Sequence, residues 1–217
     1  MSDPTWHPVA LGRDVPLGTS AGVVLHGQEI AVWRDVGGVV HAWQDRCPHR
    51  GMKLSFGFVR GDHIACLYHG WEYDAGGRCQ RIPAHPDLVV PATICVPTYA
   101  ATEASGLIWV SLEGVPGETP EVLDQATPVR SLFVDAPAGA VADLLRDAGN
   151  PLGAEAVGEG TWRALSTRLA DVRVGLHAIG PERSALHLVV AGQAPVSALI
   201  EIAARAEAFR RVAEGRA

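Results

Sequence analysis

Apolar residues come in short runs through the first half of the chain, and turn-forming residues separate them. Residues 22–26, 29–34, 39–43 and 63–68 are strand-like, with turns at Asp35-Val-Gly-Gly38 and Asp74-Ala-Gly-Gly77. A later run, Gly106-Leu-Ile-Trp-Val-Ser-Leu112, has the continuous apolar character of a buried strand. Short strands punctuated by glycine turns predict an antiparallel sandwich or barrel.

The pattern changes beyond residue 112. Glu113-Gly-Val-Pro-Gly-Glu-Thr-Pro-Glu121, followed by Pro128, can continue neither a helix nor a central strand and reads as a linker. After it, residues 129–134 are strand-like, and Asp135-Ala-Pro137 offers a cap and an early proline for a helix over 138–148. Strand-like runs follow at 161–169, 172–178 and 185–190. Residues 196–213 then place Val196, Leu199, Ile200, Ala203, Ala206 and Ala213 at helical spacing, interrupted by Arg210. Five of the six tryptophans precede residue 110, whereas the second half is alanine-rich. The expected division is 1–115, a linker over 116–128, and 129–217.

Of the 217 residues, 47% are hydrophobic and 19% charged, enough for a real core in one large or two small domains. Eighteen basic against twenty-four acidic residues give a net charge of −6 with no basic stripe to neutralise phosphates, so nucleic acid is not an expected partner. The longest apolar runs, such as residues 87–96, fall well short of the ~20 residues of a membrane span. Met1-Ser-Asp-Pro-Thr5 lacks the basic start and apolar stretch of a secretory signal. These features predict a soluble, cytoplasmic protein.

The cysteines are Cys47, Cys66, Cys79 and Cys95, all in the first half. In a reducing compartment, a few cysteines among histidines suggest a metal site more than disulfides. Asp45-Arg-Cys47-Pro-His49-Arg-Gly51 is followed, after sixteen residues between His49 and Cys66, by Cys66-Leu-Tyr-His69-Gly-Trp71. Zinc sites usually pair like ligands at C-x₂₋₄-C and H-x₃₋₅-H spacing. Here each segment contributes one thiolate and one imidazole. That suits an asymmetric [2Fe–2S] cluster, with Cys47 and Cys66 on one iron and His49 and His69 on the other. Pro48, Gly51 and Gly70 fit tight loops whose N–H groups point at cluster sulfurs, and Arg81-Ile-Pro83-Ala-His85-Pro86 is a candidate third loop over the site. Cys79 and Cys95 read as small apolar residues, Trp43 and Trp71 as packing, and His41 and His63 as structural or surface residues.

The run from Cys47 to Gly51, with Cys66-Leu-Tyr-His-Gly-Trp-Glu-Tyr-Asp74 and Gly77-Arg-Cys-Gln-Arg-Ile-Pro83, resembles a Rieske domain of the oxygenase type. The resemblance is to the N-terminal domain of ring-hydroxylating and demethylating oxygenase large subunits and covers roughly residues 5–113. It implies an all-β Rieske domain, an antiparallel sandwich or barrel with cluster-binding loops. A small α+β helix-grip-like domain, shortened relative to the family's catalytic domain, would follow. Respiratory-type relatives carry a disulfide where this chain has Met52 and Tyr68, and a serine near a cluster sulfur where it has Trp71. Fewer donors imply a potential towards the bottom of the ~−150 to +300 mV range of Rieske centres. The resemblance also implies an ion pair for Arg50 beside the cluster.

In the family, the second domain holds a mononuclear iron on two histidines and a carboxylate. After the linker this chain has only His177 and His187, and no histidine follows Asn150-Pro-Leu-Gly-Ala-Glu155 until His177. A site on His177 and His187 with Asp171 would depend on hairpin register. One [2Fe–2S] cluster and no mononuclear iron is therefore the expectation, with no catalytic residue assigned. The leading function is electron transfer from an NAD(P)H-fed flavin or iron–sulfur reductase to a separate oxygenase subunit. The alternatives are a compact complete oxygenase acting on a small organic substrate, and a non-catalytic redox-sensing or assembly subunit. The resemblance implies a homo- or hetero-trimer.

Overall fold

The computed structural model describes residues 5–153, 156 and 162–215. Of the positions discussed above, Met1–Pro4, Ala154, Glu155 and Thr161 lie outside the described residues.

The first half is a nearly closed antiparallel sheet carrying a smaller one. Strands β1 (His7–Leu11), β2 (Thr19–Leu25), β3 (Gln28–Arg34), β4 (Val40–Gln44), β9 (Thr98–Ala104) and β10 (Leu107–Ser111) form the large sheet in the order β1-β10-β9-β4-β3-β2. Strands β5 (Phe58–Arg60), β6 (His63–Ala65), β7 (Glu72–Asp74) and β8 (Cys79–Arg81) form the small one in sequence order. Leu25, Ile30, Val32, Ile108 and Val110 fill the interior of the large sheet. A second core joins Trp33 and Trp43 of that sheet to Ile64 and Tyr73 of the small one, with Cys47 and Cys66 among its buried members.

The second half is one sheet gripping two helices. Strands β11 (Ala126–Val134), β12 (Trp162–Ser166), β13 (Asp171–Gly180) and β14 (Arg183–Ala191) pair in the order β11-β14-β13-β12, with α1 (Ala138–Arg146) and α2 (Val196–Ala213) on one face. Alternate residues Leu132, Val134, Val174, Leu176, Leu186 and Leu188 meet Val141, Leu145, Ile202 and Phe209 of the helices. The fold class is the one expected, an all-β domain followed by a small α+β one. Two details differ. The proline before α1 is itself the cap residue, and Asp135 pairs with Arg183 at 3.0 Å instead of capping. Pro128 falls inside β11, tolerated because β11 is an edge strand and its register shifts there.

The other face of the second sheet packs on the first. The backbone N–H groups of His26 and Gly27, at the β2–β3 turn, donate to Ala178 O and Ile179 O at 2.9 and 2.7 Å. Arg13 donates to the carbonyls of Pro128 and Val129, and Val189 joins Leu11, Leu107 and Trp109 in a small apolar cluster.

A candidate iron–sulfur centre

Two loops with the same closure stand side by side at one end of the first half. In each, the cysteine N–H donates to the carbonyl five residues on, and the N–H of a glycine four residues on returns to the cysteine carbonyl. The first loop uses Cys47 N to Met52 O and Gly51 N to Cys47 O, both 2.8 Å; the second uses Cys66 N to Trp71 O at 2.8 Å and Gly70 N to Cys66 O at 2.9 Å. Gly51 and Gly70 have φ of +71° and +68°, the left-handed region that closes each turn. The twins differ in one respect. Histidine is two residues after the cysteine in the first loop and three after it in the second.

The loops bring all four sequence-predicted side chains together as two pairs. Cys47 and Cys66, each 2% exposed, face one another. The N–H groups of His49 and Arg50 point at the Cys47 sulfur, and those of Tyr68 and His69 at Cys66. The thiol partner, then the Tyr73 hydroxyl and those N–H groups, lower the Cys47 thiol to about 5, while the same thiol contact and burial push the Cys66 thiol up. The imidazoles of His49 and His69 meet at the outer end, ring centroids 4.6 Å apart. His49 is half-buried and stacked on Trp71 at 4.2 Å; His69 is exposed and stacked on Tyr68 at 3.9 Å. Leu67 and Tyr68 stand exposed beside it.

Supporting residues hold the first loop. Asp45 is buried and accepts both the backbone N–H and the hydroxyl of Ser55, at 2.7 and 2.6 Å. The segment expected to cover the site does touch it: Ile82 is buried in the core containing both sulfurs, and Pro83 lies where a Cβ on Gly70 would reach. Cys79 is buried in that core, Cys95 is exposed, and Trp43 is buried packing. Trp71 is packing of a pointed kind, against an imidazole. His41 is bonded to Asp35 at 3.1 Å, and His63 faces Asp62 and Glu72. Arg50 is exposed and makes no ion pair among the described residues.

Sequence reading missed Tyr73. Its hydroxyl lies 3.1 Å from Cys47 Sγ, and the residue is fully buried. A buried tyrosine must find a partner for its hydroxyl, but only the folded β7 shows that Tyr73 points inward. The site therefore keeps a hydroxyl donor to sulfur, although none stands at Trp71.

His177 and His187 also come together, with parallel rings 5.3 Å apart. Asp171 does not join them; it sits at the far end of β13, bonded to Ser166 Oγ. Among the described residues no three His, Cys, Asp or Glu side chains converge on a single ion.

Residues 5–100 match the sequence profile of the Rieske [2Fe–2S] domain. The first half of this chain is a Rieske domain. The chain is similar to oxidoreductase NdmD of Pseudomonas putida, 40% identical over 149 residues, covering 65% of this chain and 25% of that protein. It is also similar to 4beta-methylsterol monooxygenase of Methylococcus capsulatus, 43% identical over 115 residues, covering 51% of this chain and 30% of that protein. The chain thus spans less than a third of the length of these relatives. Among solved structures, apo dicamba monooxygenase superposes with a TM-score of 0.75 at 20% identity, covering 97% of this chain and 85% of that one. The likeness of fold runs through the second half as well as the Rieske domain.

Proposed function

We propose that Cys47 and Cys66 hold one iron of a [2Fe–2S] cluster and His49 and His69 the other, and that the chain relays single electrons through it. The observation that carries this reading is the polarity of the site. The thiol pair is sealed in the core and the imidazole pair opens to solvent beside Leu67 and Tyr68. The donor set fits a two-iron cluster better than one zinc ion, because sulfurs and nitrogens converge as separate pairs. When bound, the cluster supplies one-electron chemistry. The protein's part is to shield the sulfurs, direct N–H and O–H donors at them, and clamp the exposed rings.

In this reading the donor is an NAD(P)H-fed flavin or iron–sulfur reductase and the acceptor a separate oxygenase subunit, in the cytoplasm. No described helix is long and apolar enough to cross a membrane. The second reading is a compact oxygenase, favoured by the oxygenase-like fold of the second half. The deciding experiment is iron and acid-labile sulfide on one anaerobically purified sample, with the reduced-state paramagnetic resonance spectrum. Equal iron and sulfide with a Rieske spectrum is the expected result. Zinc in place of iron refutes the cluster, and iron in reproducible excess, lost with His177 or His187, moves the second reading ahead. His69→Cys is expected to lower the potential; an unchanged spectrum and potential removes His69 from the ligand set.

A further inference from the structure

The seam between the two large sheets gathers histidines from four places. His7 comes from β1, His26 from the β2–β3 turn, His177 from β13 and His187 from β14. The rings of His7 and His26 meet edge to face at 4.8 Å, and those of His177 and His187 lie parallel. Register accounts for the second pair. His177 stands opposite Ala185 and His187 opposite Gly175, so both side chains leave the same face of the hairpin. That face meets the first sheet: Pro8 lies over Gly175, and the carbonyls of Pro8 and Val24 face the His177 ring. His177 and His187 are buried. His7 Nδ1, His177 Nδ1 and His187 Nε2 are buried atoms with no hydrogen-bond partner among the described residues. His187 Nδ1 bonds Ser131 Oγ of β11 at 2.8 Å.

Few other charges face this seam. Glu113 acts on His7, and Arg173, on the same face of β13, pairs with Glu121 at 3.5 Å. Arg163 of β12 pairs with Val174 and so leaves on the opposite face. The charges acting on His177 and His187 are those of other histidines. A proton added at any of the three unpartnered nitrogens would therefore place a charge in a buried seam, offset only by the Pro8 and Val24 carbonyls at His177 and by Glu113 at His7.

We propose that this seam is a proton-operated latch, closed while His7, His177 and His187 are neutral and released when acidification charges them. Burial, with repulsion among the rings, holds His7 and His177 down to about 4 and His187 well below its ordinary value. For a base lowered in the closed state, stability is fully present above the ordinary value of 6.5 and is lost as pH falls from there towards about 4. Each ring that takes up a proton on opening shifts the equilibrium about tenfold per pH unit, so three together give up to about a thousandfold.

Hydrogen–deuterium exchange tests this on the full chain with its cluster bound, from about pH 7.5 to about pH 5, corrected for intrinsic rates and with cluster absorbance followed in parallel. The amides of His26, Gly27 and β13 are expected to lose protection steeply while β3, β4 and the absorbance persist. Protection that is flat with pH, or lost everywhere together with the absorbance, overturns the latch. The double substitution His177→Gln, His187→Asn is expected to flatten the pH dependence, and unchanged steepness overturns the assignment. Should that variant not fold, ring-proton titration of the native protein decides. Both rings are expected to resist protonation until the seam opens, and titration near the ordinary value in the closed protein refutes it.

Discussion

The Tyr73 hydroxyl and the Cys47 sulfur meet inside the core, where no water competes for either. A donor aimed at sulfur stabilises the more electron-rich, reduced form of a cluster held there. One hydrogen bond is worth about 1–1.5 kcal/mol, and a one-electron couple moves ~59 mV per 1.4 kcal/mol. Tyr73→Phe is therefore expected to lower the potential by about 50 mV with the spectrum retained, measured by optical redox titration. An unchanged potential would mean that the hydroxyl serves packing alone. The four ligand candidates were legible in the sequence, because unusual residue types at fixed spacing need no tertiary knowledge. Tyr73 was not, since its role depends on β7 turning that one side chain towards the sulfurs.

At the scale of elements, the twin loops depend on their left-handed glycines. A non-glycine residue in that region costs about 1–2 kcal/mol. At Gly70 an added Cβ would also come within 3.3 Å of Pro83 Cγ. Gly70→Ala is expected to lower iron content per chain and to destabilise the protein by about 1–3 kcal/mol, read by metal analysis and denaturant unfolding. Full iron content at native stability would show that the second loop closes without its glycine. Long periodic elements were well marked in sequence: α2 occupies the range its helical stripe indicates, and α1 ends two residues early, where Asp147 turns to extended backbone. The predicted strand over 63–68 stops at Ala65, because Cys66 begins the loop instead of continuing the ladder. Strands β5, β7 and β8 were invisible, since three residues carry no periodicity to read. Strand β11 starts at Ala126, ahead of the expected 129, because an edge strand can bulge around Pro128.

The whole molecule is held together across the seam, where Pro8 is packed directly on Gly175. A Cβ there would fall 2.8 Å from both Cβ and Cγ of Pro8. Gly175→Ala is expected to lower stability by about 1–3 kcal/mol with the cluster spectrum intact, measured by thermal unfolding. A native midpoint would show that β1 yields freely. No feature of the sequence announced this contact, because it joins residues far apart in the chain through a register set only by the folded hairpin. One further consequence follows from the sealed thiol pair and the open imidazole pair. In the electron relay proposed above, the sulfur end packs with Tyr73, Trp43 and Ile64, and the exposed edge beside the site is framed by Leu67, Tyr68 and His69. A donor and an acceptor that both dock on that edge would use it in turn and not together. Such a relay would work as a shuttle and not as a wire, and a crowd of either partner would slow the other.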